Sequence, residues 1–182
     1  MSTVITILGV AALAIAGILM VASRRPDTFR VERSAQVAAP IANVYPRIAS
    51  LRAMNEWNPF VSPDPDIKIT YSGPDLGRGA AHTWDGNRHV GAGHIEVIEA
   101  EAPAKVVMRL VMVKPIAADN RVEFTLEPSG DGTKVTWAMS GRQPLLAKCM
   151  TLFYDCDRMV GGRFEAGLAG LKRIAEGGSR AS

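Results

Sequence analysis

The chain has 182 residues, 47% of them hydrophobic, and a formal charge of +3. That length allows one domain plus an appendage, and the apolar fraction is enough for a full core. The small charge comes from scattered basic residues without a phosphate-binding stripe, so no nucleic-acid partner is expected.

Val4 to Ala22 carries no charge and no proline. At about 1.5 Å per residue a helix over this run spans nearly 30 Å, close to the apolar thickness of a bilayer. Arg24 and Arg25 follow at once, Arg30 and Arg33 lie just beyond, and no Lys or Arg precedes the run. The positive-inside rule then places the N-terminus outside and the rest of the chain in the cytoplasm, as a single-pass protein of the cell membrane. A cleaved signal peptide is the rival reading, but its basic leading region is missing. The boundaries read as a transmembrane anchor over 1–23, a linker over 24–28, one folded domain over 29–178 and a tail over 179–182.

Beyond the linker, Phe29, Val31, Ala35 and Val37 alternate with Arg30, Glu32, Ser34 and Gln36, which predicts a strand. Arg33 falls on the apolar side, as a strand-end charge or a buried, paired one. Pro40 opens a helix with Ile41, Val44, Tyr45 and Ile48 on its apolar face. Pro46 predicts a kink or two short helices, the second ending near Trp57. Pro59, Pro63 and Pro65 make 58–66 a loop. Six strands follow. Their inner positions include Ile67, Ile69 and Tyr71, then residues 80–85, Ile95 and Val97, Val106 to Met112, Val122 to Leu126, and Val135 to Met139. Asp85-Gly86-Asn87 and Ser129-Gly130-Asp131-Gly132 are hairpin turns. From Thr151 to Glu176, Phe153, Cys156, Val160, Phe164, Leu168, Leu171 and Ala175 recur at helical spacing, with Gly177-Gly178 as the cap. Cys149 and Cys156, seven residues apart on one helix, lie about 10 Å apart and read as reduced thiols. Short turns between the strands imply an antiparallel sheet with one polar face, and the other face needs the long helix as its cover.

This order resembles the START-like, helix-grip superfamily, and within it the polyketide cyclase/dehydrase and lipid-transport family. The resemblance rests on Val37-Ala38-Ala39-Pro40 with Val44-Tyr45, on Trp57-Asn58-Pro59-Phe60, and on the glycine-marked hairpins at Tyr71 to Pro74, Gly77 to Gly79, Trp84 to Asn87 and Val90 to Gly93. It continues through Thr125 to Pro128, Gly132 to Trp137 and Phe164 to Leu168. It implies an α+β helix-grip fold, a curved antiparallel sheet wrapped around the C-terminal helix with an elongated apolar cavity between them. Members include lipid carriers and aromatic polyketide cyclases, without a shared catalytic motif, so the resemblance transfers no activity.

No catalytic constellation emerges from the residues. There is no Gly-x-Ser-x-Gly elbow, no His-Glu-x-x-His pair and no metal-ligand spacing, so neither a metal nor a cofactor is expected. Gly77-Arg78-Gly79 and Gly91-Ala92-Gly93 are turn and strand glycines, lacking the rest of a dinucleotide fingerprint. His89 lies at a turn, His94 faces water, and His82 shares a side with Trp84. The candidate ligand-binding positions are Trp57 at the mouth, Trp84, Met108, Met112, Phe124, Trp137 and Met139 from the sheet, and Phe153, Val160 and Phe164 from the helix. Flexible methionines suit adaptable apolar surfaces, and Gly161, Gly162, Gly167 and Gly170 leave the helix thin, for close packing or for ligand room. The expected function is a membrane-anchored domain that binds a hydrophobic small molecule or lipid. One alternative is a cyclase or dehydratase using His82, Arg33 or Tyr71 on an apolar substrate. The other is a chaperone-associated type of protein-interaction domain with no filled cavity.

Overall fold

A computed structural model describes residues 2–61, 64–152 and 156–177, with side chains described throughout except at 2, 3, 5, 8, 11, 14 and 156. Helix α1 (Ser2–Ser23) leads into β1 (Thr28–Val37), then α2 (Ile41–Ala49) and α3 (Leu51–Asn55). The strands β2 (Lys68–Ser72), β3 (Ala81–Asp85), β4 (Ala92–Glu101), β5 (Lys105–Lys114), β6 (Ala118–Ser129) and β7 (Gly132–Arg142) follow. The chain ends in α4 (Leu145–Met150) and α5 (Cys156–Gly177). All pairings are antiparallel, in the order β1-β7-β6-β5-β4-β3-β2. Six strands meander, and β1 returns to close against the last. The antiparallel sheet and long terminal helix are those the residue pattern predicts, and together they form the α+β helix-grip arrangement that the family resemblance implies.

The period-2 pattern works because each strand buries one set of side chains and leaves the other wet. In β7, Val135 and Trp137 are buried while Lys134 faces solvent. In β6, Val122, Phe124 and Leu126 are buried between more exposed neighbours. Irregular pairing in β4–β5 near Ala92/Gly93 and Val97/Glu99 bends the sheet locally. Gly91, at φ 72°, has no room for a side chain, because a Cβ there would run into the Lys114 carbonyl.

Several local expectations shift. Pro46 sits inside α2 without ending it; the break falls at Ser50, whose extended backbone separates α2 from α3. Pro40 stands just before α2 rather than within it. The β3–β4 connection is longer than a tight hairpin. The Asn87 side chain accepts from the His89 and Val90 amides at 2.8 and 3.2 Å, and the Asp64 carboxylate accepts from the Asn87 amide at 2.6 Å, so the loop folds on itself before β4.

The final helix is also shorter at its start than the apolar spacing implies. Residues 145–150 form the separate α4, which opens after Pro144 and closes at Thr151. Cys149 is therefore on α4 and half-buried, so the one-helix argument about the two cysteines does not apply. Phe153 and Gly178 lie outside the described residues.

α5 runs along β1 and touches β7 and α2, rather than covering the middle of the sheet. The rest of the inward face is roofed by α2, α3 and the Trp57–Phe60 segment, through Val44, Ile48, Leu51, Met54 and Trp57. α1 is 22 residues long, about 33 Å at helical rise, and packs near its C-terminal end against α4. Among the described residues no helix is long and apolar enough to cross a membrane; part of the α1 side-chain set lies outside that description.

Candidate functional site

The inward face of the sheet is a lattice of side chains set by strand register. One row across it runs Arg33, Trp137, Phe124 and Val106; the next runs Val31, Met139, Val122, Met108 and Val97. A third row holds Leu110, Ile95, His82 and Tyr71, and the last holds Met112, Gly93, Trp84 and Ile69. Trp137, Phe124, Val106 and Met108 are closed off, as are Ile95 and His82, whereas Leu110, Met112, Trp84, Met139 and Ile69 are half-buried.

The closed half is an aromatic block. The Trp137 ring stacks on Phe164 of α5, with centroids 4.2 Å apart and planes 9° off parallel. Trp57 meets Trp137 and Phe124 edge-on at 5.7 and 6.1 Å, and Phe124 lies 5.0 Å from Trp137. Offset and edge-on contacts of this kind add about 0.5–1.5 kcal/mol per pair beyond area burial. Trp57 Nε1 donates to the Arg47 carbonyl at 3.0 Å, while Trp137 Nε1 is buried without a partner. Gly167 is required by this packing. A Cβ there would stand 2.7 Å from Trp137 and 3.0 Å from Pro59. The thin face of α5 at this position is therefore close packing rather than ligand room.

Arg33, the charge on the apolar side of β1, is paired. Its guanidinium donates to Glu165 and Asp157 of α5 at 2.8 Å each and to the Glu32 carbonyl at 2.8 Å. The bond to Asp157, then that to Glu165, raises its already high pKa, and Asp157 is lowered in turn. Gly161 is the other half of this arrangement, since a Cβ there would overlap the guanidinium. Arg33 thus fastens α5 to β1.

In the open half a small polar group interrupts the apolar surface. His82 is 4% exposed and lies edge-on between Tyr71 and Trp84, at ring distances of 5.4 and 5.9 Å. Asn55, from the end of α3, donates to the Tyr71 hydroxyl at 2.9 Å and stands 3.5 Å from His82 Nε2. The His82 Nδ1 atom is buried without a partner. Burial pushes the imidazole down to about 4, so at neutral pH it is uncharged. A neutral ring of this kind offers a donor and an acceptor, and its low pKa makes it a poor general base near neutrality.

The sequence-predicted positions therefore separate. Trp57, Met108, Phe124, Trp137 and Phe164 belong to the closed half; Trp84, Met112 and Met139 belong to the open half; Val160, on α5, is half-buried; Phe153 lies outside the described residues. Leu110, Asn55 and Phe60 were missed. The β5 alternation carries the signal for Leu110 and the Trp57-Asn58-Pro59-Phe60 motif that for Phe60, whereas nothing local in the sequence marks Asn55. A groove of about 360 Å³ opens on the outward face among Arg109, Asp119, Arg121 and Arg142, and one of about 60 Å³ sits beside Tyr71 and Arg52. His94 is half-exposed next to Glu96, and His89 is exposed. Among the described residues, no cluster of three or more His, Cys, Asp or Glu side chains is placed to hold a metal ion.

Residues 28–176 match the model of the family described as polyketide cyclase / dehydrase and lipid transport. No curated protein matches the chain. Among solved structures, a protein from Chromobacterium violaceum is similar at 15% identity and TM-score 0.58, over 84% of this chain and 99% of that one. The Aha1 dimer from Colwellia psychrerythraea is similar at 15% identity and TM-score 0.57, over 81% and 96%. The di-domain ARO/CYC StfQ from the steffimycin biosynthetic pathway reaches TM-score 0.61 at 12% identity, over 87% of this chain and 54% of that one. At these identities the likeness is one of fold.

Proposed function

Because the chain belongs to the polyketide cyclase / dehydrase and lipid transport family, we propose that it is a membrane-anchored domain that binds a hydrophobic small molecule or lipid against the open half of its sheet. The observation that carries this reading is the set of half-buried apolar side chains Met139, Leu110, Met112 and Trp84, spread over three adjacent rows of the sheet, with the neutral His82–Tyr71–Asn55 group among them. Binding sites are mostly apolar with a few fixed polar groups. The polar group would orient a hydroxyl, carbonyl or carboxyl on an otherwise apolar ligand.

Anchoring is supported by α1, whose Val4, Ile7, Val10, Leu13, Ile15 and Leu19 are exposed, and by the arginines that follow it. A helix apolar all round is suited to lipid rather than water, and Arg24 and Arg25 favour a cytoplasmic domain. Anchoring holds the domain where apolar ligands partition.

The test is native mass spectrometry of the full chain released from a lipid nanodisc, paired with binding of a fluorescent fatty acid. Retained ligand, or saturable probe binding weakened by Met112→Trp, is the expected result. A second reading, an interaction domain without a ligand, is favoured by the solid aromatic block. That reading expects neither retained ligand nor probe binding, and a protein partner in pull-downs.

A further inference from the structure

Apart from α1, the exposed large apolar side chains among the described residues are not spread evenly. Phe60 and Leu76 stand elsewhere, and the others are Val113 (62% exposed), Ile116 (65%), Leu145 (46%), Leu146 (75%), Met150 (44%) and Met159 (64%). The topology gathers these at one end of the sheet. Thr28, where β1 begins after α1, pairs with Arg142, where β7 ends and leads into α4. Gly141 of β7 pairs with Asn120, and Ala118 pairs with Met112, so the β5–β6 tip carrying Val113 and Ile116 is next along the same edge. Met159 is on the first turn of α5, whose Asp157 is tied to Arg33 of β1.

Exposed cations rim the same end: Arg24 and Arg25 after α1, Arg142 after β7, Lys114 on the β5–β6 tip and Arg88 in the β3–β4 loop. Asp119, the acid beside the tip, is engaged by Arg109 at 2.6 Å, and Asp27 by Lys148. Apolar side chains ringed by cations suit the boundary between lipid headgroups and acyl chains. This is also the end to which the half-exposed row of Met112 and Trp84 opens, and the end from which α1 departs.

We propose that this end of the domain, the β5–β6 tip together with α4, is a second membrane contact that seats on an anionic bilayer, with Ile116 and Leu146 reaching the acyl region. The proposal rests on the reading of α1 as an anchor. It places the open half of the sheet face against the lipid, so a ligand passes between bilayer and domain without crossing water.

The experiment uses the full chain in liposomes of phosphatidylcholine with and without phosphatidylglycerol, carrying brominated acyl chains. An added indole at Ile116→Trp or Leu146→Trp should lose most of its extra fluorescence relative to the parent, more so with phosphatidylglycerol. Leu76→Trp, exposed but away from this end, should be unquenched. Protein that floats with the liposomes while neither Ile116→Trp nor Leu146→Trp is quenched overturns the second contact and leaves the anchor standing. Quenching that does not grow with phosphatidylglycerol overturns the anionic assignment. Protein that fails to float at all overturns the anchor and this contact with it. Should either substitution impair folding, as read by circular dichroism, a bromolipid-quenched dye on Ile116→Cys in a Cys149→Ser, Cys156→Ser chain gives the same decision.

Discussion

Trp137 and Met139 stand two residues apart on β7 and point to the same face, yet one is sealed in and the other only half-buried. The difference lies in what stands opposite. Trp137 faces Phe164 of α5 and Trp57 and Phe60 of the segment after α3, and it is 3% exposed. Met139, one register step toward the end where α1 departs, and Met112, Leu110 and Trp84 beyond it, have no comparable ring cluster above them among the described residues. A single inward face thus has one half that holds the fold together and one that is free to hold something else. Stability should be concentrated in the first half and ligand sensitivity in the second.

The sharpest way to break this division is at its centre. Trp137→Ala should lower unfolding free energy by about 3–5 kcal/mol in denaturant titration, since it empties a site enclosed on all sides. Trp84→Ala should cost clearly less while weakening probe binding. Equal costs would mean the open half is as tightly packed as the closed one.

Acid should act next, through His82. Its imidazole titrates near about 4 when folded, against 6.5 when exposed. The unfolded chain therefore binds more protons across that window. The His82 contribution is complete above pH 6.5 and is lost as the pH falls toward 4, by at most about 3 kcal/mol. Unfolding measured at several pH values should show a slope in that window that His82→Gln flattens. A slope unchanged in the variant would assign the acid sensitivity to other groups.

A smaller contrast separates two methionines. Met108→Trp adds bulk to a fully buried site and should cost about 1–3 kcal/mol. Met112→Trp, in the open half, should leave the melting temperature nearly unchanged and weaken fatty-acid probe binding. The reverse pattern would move the boundary between the halves by one row. Smallest of all should be Glu165→Gln. That carboxylate is 64% exposed, and Asp157 keeps hold of Arg33, so thermal unfolding should barely move.

How far the sequence foretold these halves depends on the range of each interaction. Alternation in β6 and β7 marks Phe124, Trp137 and Met139 as inward because the pleat is a nearest-neighbour property. The same alternation treats Met108 and Met112 alike. What separates them is the cover supplied by α3 and the Trp57–Phe60 segment, which joins the sheet only in three dimensions. The glycines of α5 read as ambiguous for the same reason: what forbids a Cβ at Gly161 and Gly167 is Arg33 and Trp137, both distant in the chain. α4 was hidden by its length. Six residues give too few turns for a periodic signal, and its apolar Leu145, Leu146 and Met150 face outward rather than along a core stripe.

α4 also carries Lys148, whose side chain is 6% exposed and whose ammonium donates to the Arg25 carbonyl at 2.8 Å and to the Asp27 carboxylate. Arg25 in turn donates to the Thr151 carbonyl and hydroxyl at 3.1 Å. A connector of a few residues ordinarily leaves a tethered domain free to swivel over a wide cone. Here the connector is stapled on both sides to the body it joins. These bonds restrain how the sheet can turn relative to α1, so less orientation has to be searched for at each encounter. Cutting the staple with Lys148→Met would leave every inward contact in place and yet return to the domain the rotational freedom of a pendant.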